Sequence, residues 1–165
     1  MKFPQIFVSI LLISLFFSCQ SSSSSSSEEK DTAHTEAQKA EQEQKRLEVM
    51  AVHDAVMPQT AVVNRLSRQI KAYMKERTEQ GDQDESRQEI LLEAVKHLNQ
   101  ADEAMYDWMG KFYNNLDLLR DSMDHQGVMD YLDAELVKIK KVDEMTKTSM
   151  EKARAVMEEY GINEQ

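Results

Sequence analysis

The chain contains little cysteine, proline or glycine: one, two and four residues among 165. A single cysteine excludes an intramolecular disulfide. So few prolines and glycines leave too few turn residues for a sheet protein, whose tight turns favour both. The strict alternation of apolar and polar residues that marks a half-buried strand is also missing. These absences together predict an all-α protein.

Positive charge is scarce as well. Twenty lysines and arginines stand against 30 aspartates and glutamates, for a formal net charge of -10. An acidic surface repels phosphates, and the sequence has no basic patch interleaved with aromatic residues. We therefore expect no nucleic-acid partner. The same acidity argues against attachment to a membrane through a polybasic surface, so any membrane attachment would come from lipid.

The longest apolar run, Ile6 to Phe17, is too short to cross a bilayer comfortably. It follows Lys2 and ends in Ser18-Cys19, which is the layout of a bacterial lipoprotein signal. Phe16 departs from the leucine usual at that position. We predict that residues 1–18 are removed and that Cys19 is lipidated. The alternatives are an uncleaved anchor and ordinary secretion, and each of them also places the domain outside the cytoplasm.

Residues 19–37 are predicted to be a disordered tether. Gln20 is followed by seven serines and then by charged residues, a composition that cannot bury enough apolar surface to offset its conformational entropy. Glutamine directly after Cys19 favours delivery to the outer membrane of a Gram-negative cell, facing the periplasm. Asp31-Thr32-Ala33 resembles the O-glycosylation sequon of Bacteroidota, which makes Thr32 a candidate site; otherwise Thr32 is an ordinary linker residue.

Three long helices are predicted after the tether. The first, within residues 35–78, starts with a possible capping box of Thr35 and Gln38 and ends near Gly81. The second begins near Asp82 or Asp84, and its end is left open between Asn114-Asn115 and the stretch from Asp124 to Gly127. The third follows Gly127, with Gly161 as its carboxy-terminal cap. Apolar residues on alternating three- and four-residue steps support each helix. In the second helix they are Leu91, Ala94, Leu98, Ala101, Met105, Trp108 and Phe112.

The predicted fold is an antiparallel three-helix bundle of long, coiled-coil-like helices, covering residues 38–165. A single extended coiled coil that dimerises is the competing arrangement, because the same apolar spacing serves both. The oligomeric state stays open.

Two stretches carry a resemblance to a known family. His53-Asp54-Ala55-Val56-Met57-Pro58 and Asp102-Glu103-Ala104-Met105-Tyr106-Asp107-Trp108-Met109 resemble a family of small helical lipoproteins from Bacteroidota, often labelled "viral A-type inclusion protein". The resemblance spans the signal, the tether and all three helices. It implies the fold and the location, and it carries over no activity.

Antiparallel pairing of the helices predicts one candidate site. With the first turn near Gly81, residues whose numbers sum to about 162 lie at equal height, which places Met57 beside Met105 and His53 beside Met109. A second turn near His125 places Met145 at the height of Met105. The candidate ligands are His53, Met57, Met105, Met109 and Met145.

Thioether and imidazole ligands select copper(I), so the site is predicted to bind a soft metal. Trp108 would cover the ion with its ring. Pro58 would remove the backbone hydrogen bond to Asp54, kink the helix and open space for a pocket. A small ligand, or a haem held axially by His53 and a methionine, is a further alternative, although three helices cover a haem poorly.

A packing interpretation stands beside these. Methionines fill irregular gaps in hydrophobic cores, and a chain with eleven of them places several in one layer without any metal. In that interpretation His53 lies at the helix surface, Asp54 is a solvated charge, and Trp108 is a core aromatic whose indole N–H is hydrogen-bonded.

No constellation of residues indicates catalysis. The lipidated chain would have no free thiol, no glycine-rich phosphate loop and no closely spaced histidine pair. His34, His97 and His125 fall in the tether region, in mid-helix and in a turn. We therefore predict a non-enzymatic structural or protein-interaction module of the cell envelope, with another envelope protein as its partner. No cofactor is expected unless copper binds.

Overall fold

The computed structural model describes residues 33–82 and 84–164. They form α1 (Glu36–Val56), α2 (Gln59–Glu79), α3 (Glu85–Lys111), α4 (Leu116–Ser122) and α5 (His125–Glu159), with no strand among the described residues. The predicted all-α class is confirmed. The predicted signal peptide, Cys19 and Thr32 lie outside the described residues.

The first predicted helix is present as two segments, α1 and α2, separated by Met57 and Pro58. The capping box at its start is confirmed: the Thr35 hydroxyl accepts from the backbone N–H of Gln38 at 3.3 Å, and the Gln38 side chain accepts from the backbone N–H of Thr35 at 2.9 Å. Proline lacks the N–H that would continue the ladder, so the helical hydrogen bonding is interrupted at Pro58. The predicted end near Gly81 is also confirmed, since Gly81 adopts a φ of 79°.

The second predicted helix is shorter than the longest version that the sequence allowed. Asp84 caps α3 by accepting from the N–H of Arg87, and α3 ends at Lys111. A separate short helix, α4, then begins because the Asn115 side chain accepts from the N–H groups of Asp117 and Leu118. Both breaks that the sequence left open are therefore used.

The third helix begins earlier than predicted. The sequence placed its start after Gly127, but α5 begins at His125 because the Asp124 side chain accepts from the N–H of Gly127 at 2.8 Å. Gly127 is thus part of the first turn. The predicted cap at Gly161 is confirmed by its φ of 67°, and the N–H of Ile162 donates to the carbonyl of Met157 at 2.7 Å.

The long helices pack side by side as a bundle. Asn64 of α2 donates to Asp102 of α3, and Ser67 of α2 donates to Asn99 of α3, a pairing in which residue numbers rise on one helix and fall on the other. These two helices are therefore antiparallel. The helical bundle is confirmed, whereas the predicted number of three helices is not, because α1 and α2 are separate segments and α4 was not foreseen.

The core consists of three apolar clusters along the bundle. The cluster nearest the Gly81 turn joins α2, α3 and α5 and includes Leu66, Ile70 and Leu98. The central cluster joins α1, α3 and α5; its buried members are Val49, Val56, Met105, Trp108, Ile139 and Val142. The third cluster packs α4 on α5. Each fully buried large apolar side chain stabilises the fold by about 1.5–3 kcal/mol relative to exposure.

Among residues 33–82 and 84–164, no helix is both long enough and apolar enough to cross a membrane.

Candidate functional site

His53 lies on α1 between two side chains of different chemistry. Its Nε2 atom is 3.3 Å from the sulfur of Met109 on α3, and its Nδ1 atom is 2.9 Å from a carboxylate oxygen of Asp54. The predicted neighbours His53 and Met109 therefore meet across the two helices. The His53 side chain is 16% exposed and the Asp54 side chain 70% exposed, so the pair lies at the rim of the bundle.

The Asp54 carboxylate determines which nitrogen of His53 carries the proton. An ionised carboxylate only accepts hydrogen bonds, so Nδ1 is the protonated nitrogen. In the neutral ring Nε2 then presents a lone pair to the Met109 sulfur, which is itself an acceptor with no hydrogen to donate. In this tautomer two acceptors face each other, an arrangement to which a soft cation can bind.

A soft metal ion fits this spacing. Metal–imidazole bonds of about 2.0 Å and metal–sulfur bonds of about 2.3 Å at a tetrahedral angle hold the two donor atoms roughly 3.5 Å apart. The observed separation of 3.3 Å is close to that value. A histidine that donates its other ring N–H to a carboxylate is also the usual arrangement behind a metal ligand, because it orients the ring and raises its basicity.

Trp108 covers the buried side of this pair. Its ring lies 5.6 Å from the His53 ring, centroid to centroid, and stacks on Phe112 at 4.7 Å. Trp108 is 6% exposed, and its indole N–H has no hydrogen-bond partner among the described residues. The packing interpretation expected that N–H to be bonded. A buried donor without a partner costs about 1–3 kcal/mol.

Met57 and Met105 belong to the central cluster together with Trp108 and Met109. Met105 is fully buried, and Met57 is half-buried where α1 ends. Four of the five predicted ligands therefore border one cluster. Pro58 is exposed at the interruption between α1 and α2.

Met145 lies elsewhere. It lines a groove between α3 and α5, together with His97 and Gln100, and none of the other four predicted ligands lines that groove. The prediction matched heights along the bundle, and height alone does not say on which side of the bundle a side chain points. Among the described residues there is also no group of three or more His, Cys, Asp or Glu side chains placed to hold a metal. Any metal here would depend on the methionines.

The α3–α5 groove is a feature that the sequence interpretation missed. It continues along the bundle from Met145 past His97 to a wider section, and His97 lines both sections. The wider section is lined by Glu89, Ile90, Glu93, Ala94, His97, Lys152, Ala155 and Val156. The available signal was Ile90, an apolar residue one position outside the seam of α3.

The groove carries ionised walls. Hydrogen bonds from Lys96 and His97 hold the pKa of Glu93 below its ordinary value, so its carboxylate stays charged. On the α5 side the wider section presents Lys152. In this wider section the two walls therefore have opposite charge above an apolar floor.

Comparisons of the chain with protein-family models, with curated proteins and with solved structures found no match.

Proposed function

We propose that this protein is a lipid-anchored module of the cell envelope that binds an amphipathic helix of another envelope protein in its α3–α5 groove. The observation that carries the proposal is the form of the groove, an apolar floor between two antiparallel helices with walls of opposite charge. Binding a helix in this groove needs no catalytic group. A partner helix in this position would turn the side of the bundle into a longer helical interface.

The floor supplies the apolar contact. Ile90 is 39% exposed on α3, and Ala94, Ala155 and Val156 continue the floor beside it. Small residues on both sides let a third helix approach closely, and a large apolar residue of that helix would bury Ile90. Burying apolar surface favours association by about 25 cal/mol per Å² before the cost of ordering is subtracted.

The walls specify the charge of the partner. Glu89 and Glu93 line the α3 side, and Lys152 lines the α5 side. The complementary helix has basic residues on the flank facing α3 and acidic residues on the flank facing α5, on either side of an apolar seam. Like charges in either position would be repelled, so the walls also select the direction of the bound helix.

The proposed location rests on the amino-terminal sequence. A lipid on Cys19, followed by a serine-rich tether, would hold the bundle at the outer membrane with reach into the periplasm. The resemblance to lipoproteins of Bacteroidota supports the same location. In that position the bundle meets envelope proteins at high local concentration, so a modest affinity is enough for binding.

Site-specific cross-linking in cells tests the groove. A photo-cross-linking residue at Thr148, which lines the groove, should capture one envelope protein through a segment with an apolar helical face flanked by opposite charges. Ile90→Glu should lower the yield about tenfold, the loss typical of a central interface residue. Leu47→Glu is the matched control, because Leu47 is 53% exposed on α1, outside the groove, and should leave the yield unchanged.

Three results would contradict the proposal. Equal yields from Ile90→Glu and Leu47→Glu would show that the groove does not bind the captured protein. A captured segment without an amphipathic helix would reject the proposed partner chemistry. Capture of a second copy of this chain would replace the partner by self-association.

A second candidate function is soft-metal binding by His53 and Met109, with Met57 and Met105 as further ligands. The contact of Nε2 with the sulfur at 3.3 Å, backed by Asp54, favours it. Copper(I) is the ion that this donor set selects, because imidazole and thioether groups are soft and carry no charge. Titration of Trp108 fluorescence with copper(I) tests it.

A further inference from the structure

A network of polar side chains around one buried glutamine closes the end of the bundle where α1 begins. Its centre is Gln42 of α1, which is fully buried. The amide nitrogen of Gln42 lies 3.0 Å from Nδ1 of His34 and 3.1 Å from Nδ1 of His125, while its amide oxygen accepts from Nε of Arg120 at 2.7 Å. The network thus joins the segment before α1 to α4 and to the first residue of α5.

Arg120 fixes the orientation of the Gln42 amide. A guanidinium only donates hydrogen bonds, so the amide oxygen must face Arg120 and the NH₂ group must face the two histidines. Rotating the amide by half a turn would place its NH₂ group against the guanidinium, donor against donor. Both imidazole Nδ1 atoms therefore have to accept a hydrogen bond.

This requirement selects one tautomer for each histidine. With Nδ1 accepting, the ring proton is on Nε2. His34 donates it to the backbone carbonyls of Arg120 and Met123, at 3.1 and 3.0 Å. His125 presents its Nε2 to the carboxylate of Glu41 at 3.3 Å. The arrangement requires a neutral ring on each histidine, because a proton added to Nδ1 of either one would face the buried NH₂ group of Gln42.

We propose that Gln42, His34 and His125 form a proton-operated latch that holds the segment before α1 and helix α4 on the bundle near neutral pH and releases them in acid. Protonation of an imidazole replaces a hydrogen bond by a contact between two donors. The cost of keeping the contact is avoided if the segment that carries the histidine moves away. We expect the segment that carries His34 to move, because His34 lies before the first helix and outside any helical hydrogen bonding.

The two histidines differ in the charged groups beside them. Glu41 lies 3.3 Å from Nε2 of His125, so an ion pair can hold a protonated His125 in place, whereas the Arg120 guanidinium lies beside Gln42 and is paired with Asp117. Among the described residues no carboxylate pairs with His34. Its contacts are two carbonyls and the amide.

Further charged groups lie nearby on the same elements. Glu43 is engaged by Arg46, Glu36 by Lys39, and Asp124 caps α5. None of them contacts the two rings. A protonated His34 therefore has no ion pair to hold it in place, so the release in acid is expected at His34.

Hydrogen exchange of the full chain at about pH 7.5 and about pH 5.5, on either side of free imidazole titration, tests the latch. After correction for intrinsic exchange rates, amides of α4 and of the first turns of α1 should exchange about tenfold faster at the lower pH, the fold-change expected when one buried hydrogen bond is lost. Amides in the middle of α3, around Leu98, should keep their rates.

Three variants separate the latch from a general effect of acid. His34→Gln, which cannot titrate, should lose the pH response at the start of α1. Gln42→Glu should invert it, because a carboxylate accepts from protonated rings and from Arg120 together. His97→Gln, a change in the groove far from the latch along α3, should respond as the unchanged protein does.

Equal corrected rates at the two pH values would overturn the proposal. A full response in His34→Gln would do so as well, and this variant keeps a polar side chain at a half-buried position, so it decides the question even if Gln42→Glu fails to fold.

Discussion

Both nitrogens of the His53 imidazole have a neighbouring side chain. The Asp54 carboxylate lies at Nδ1, and the Met109 sulfur lies at Nε2. A carboxylate behind the ring and an uncharged sulfur in front of it is an arrangement to which a soft cation can bind. Methionine adapts to irregular core space, and both Met105 and Met109 pack in or against the central cluster, so packing and metal binding are two explanations of the contact that an experiment can separate.

At this scale we predict that copper(I) quenches the fluorescence of Trp108, the protein's only tryptophan, at about one equivalent. The ion at Nε2 of His53 would lie within roughly 6 Å of the indole ring, the range of a cation–π contact. His53→Ala and Met109→Leu should each abolish the quenching while leaving helicity nearly intact. The measurement is a fluorescence titration of the reduced protein.

His97→Ala is the matched control for this titration, since it removes a histidine from the groove instead of the site, and it should leave the quenching unchanged. Met105→Leu should cost under about 1.5 kcal/mol of stability because the two side chains have similar volumes. A flat titration of the unchanged protein would leave packing as the explanation of the His53–Met109 contact.

Much of this site could be predicted from the helical register. A turn near Gly81 and antiparallel helices place His53 opposite Met109, and that contact is present. Two of its features could not be predicted. Met145 lines a different groove, and the Trp108 N–H has no partner within the described part of the chain. Both features depend on the rotation of each helix about its own axis.

At the scale of the element, single capping side chains determine where three of the helices begin. Asp84, Asn115 and Asp124 each accept backbone N–H groups at the start of a helix. The Asn115 cap explains α4, which a continuous apolar spacing from Phe112 onward had concealed. Apolar periodicity reports which face of a segment is buried, and it does not report where the backbone leaves the helix.

Two helical glycines make a matched pair for a stability prediction. Gly110 in α3 has open space around the position of an added Cβ, whereas a Cβ on Gly127 in α5 would lie 3.1 Å from the Cβ of Met123 and 3.2 Å from the capping oxygen of Asp124. Alanine is favoured over glycine in a helix by up to about 1 kcal/mol. Gly110→Ala should therefore raise the urea midpoint.

Gly127→Ala should lower that midpoint, because the new methyl group displaces the cap that starts α5, and a lost cap costs about 1 kcal/mol. Urea unfolding followed by circular dichroism measures both variants. If Gly127→Ala proved as stabilising as Gly110→Ala, the Asp124 cap would contribute nothing to the start of α5.

At the scale of the whole molecule, the prediction concerns how the protein is attached to a membrane. We predict that the unchanged chain, expressed in a Gram-negative host, sediments with membranes and that Cys19→Ala is released into the soluble periplasmic fraction. A lipid with two or more acyl chains gives stable anchoring, and the described part of the chain offers no membrane-spanning helix to replace it. Fractionation followed by mass spectrometry of the amino-terminal peptide measures both effects.

Thr32→Ala is the control, because it changes another residue of the predicted tether and should leave the partition unchanged. If Thr32 is glycosylated, the same variant loses the mass of the glycan. A Cys19→Ala protein that still sedimented with membranes would favour the uncleaved anchor.

The sequence by itself determined the all-α class, the caps at Thr35 and Gly161 and the facing of His53 and Met109. Each of these depends on short spacings or on a hairpin register, and both can be read along the chain. The tertiary structure decided the groove between α3 and α5 and the meeting of His34, Gln42 and His125. The two helices of the groove are distant in the sequence, and His125 is 83 positions from Gln42. Only the packing of the elements brings them together.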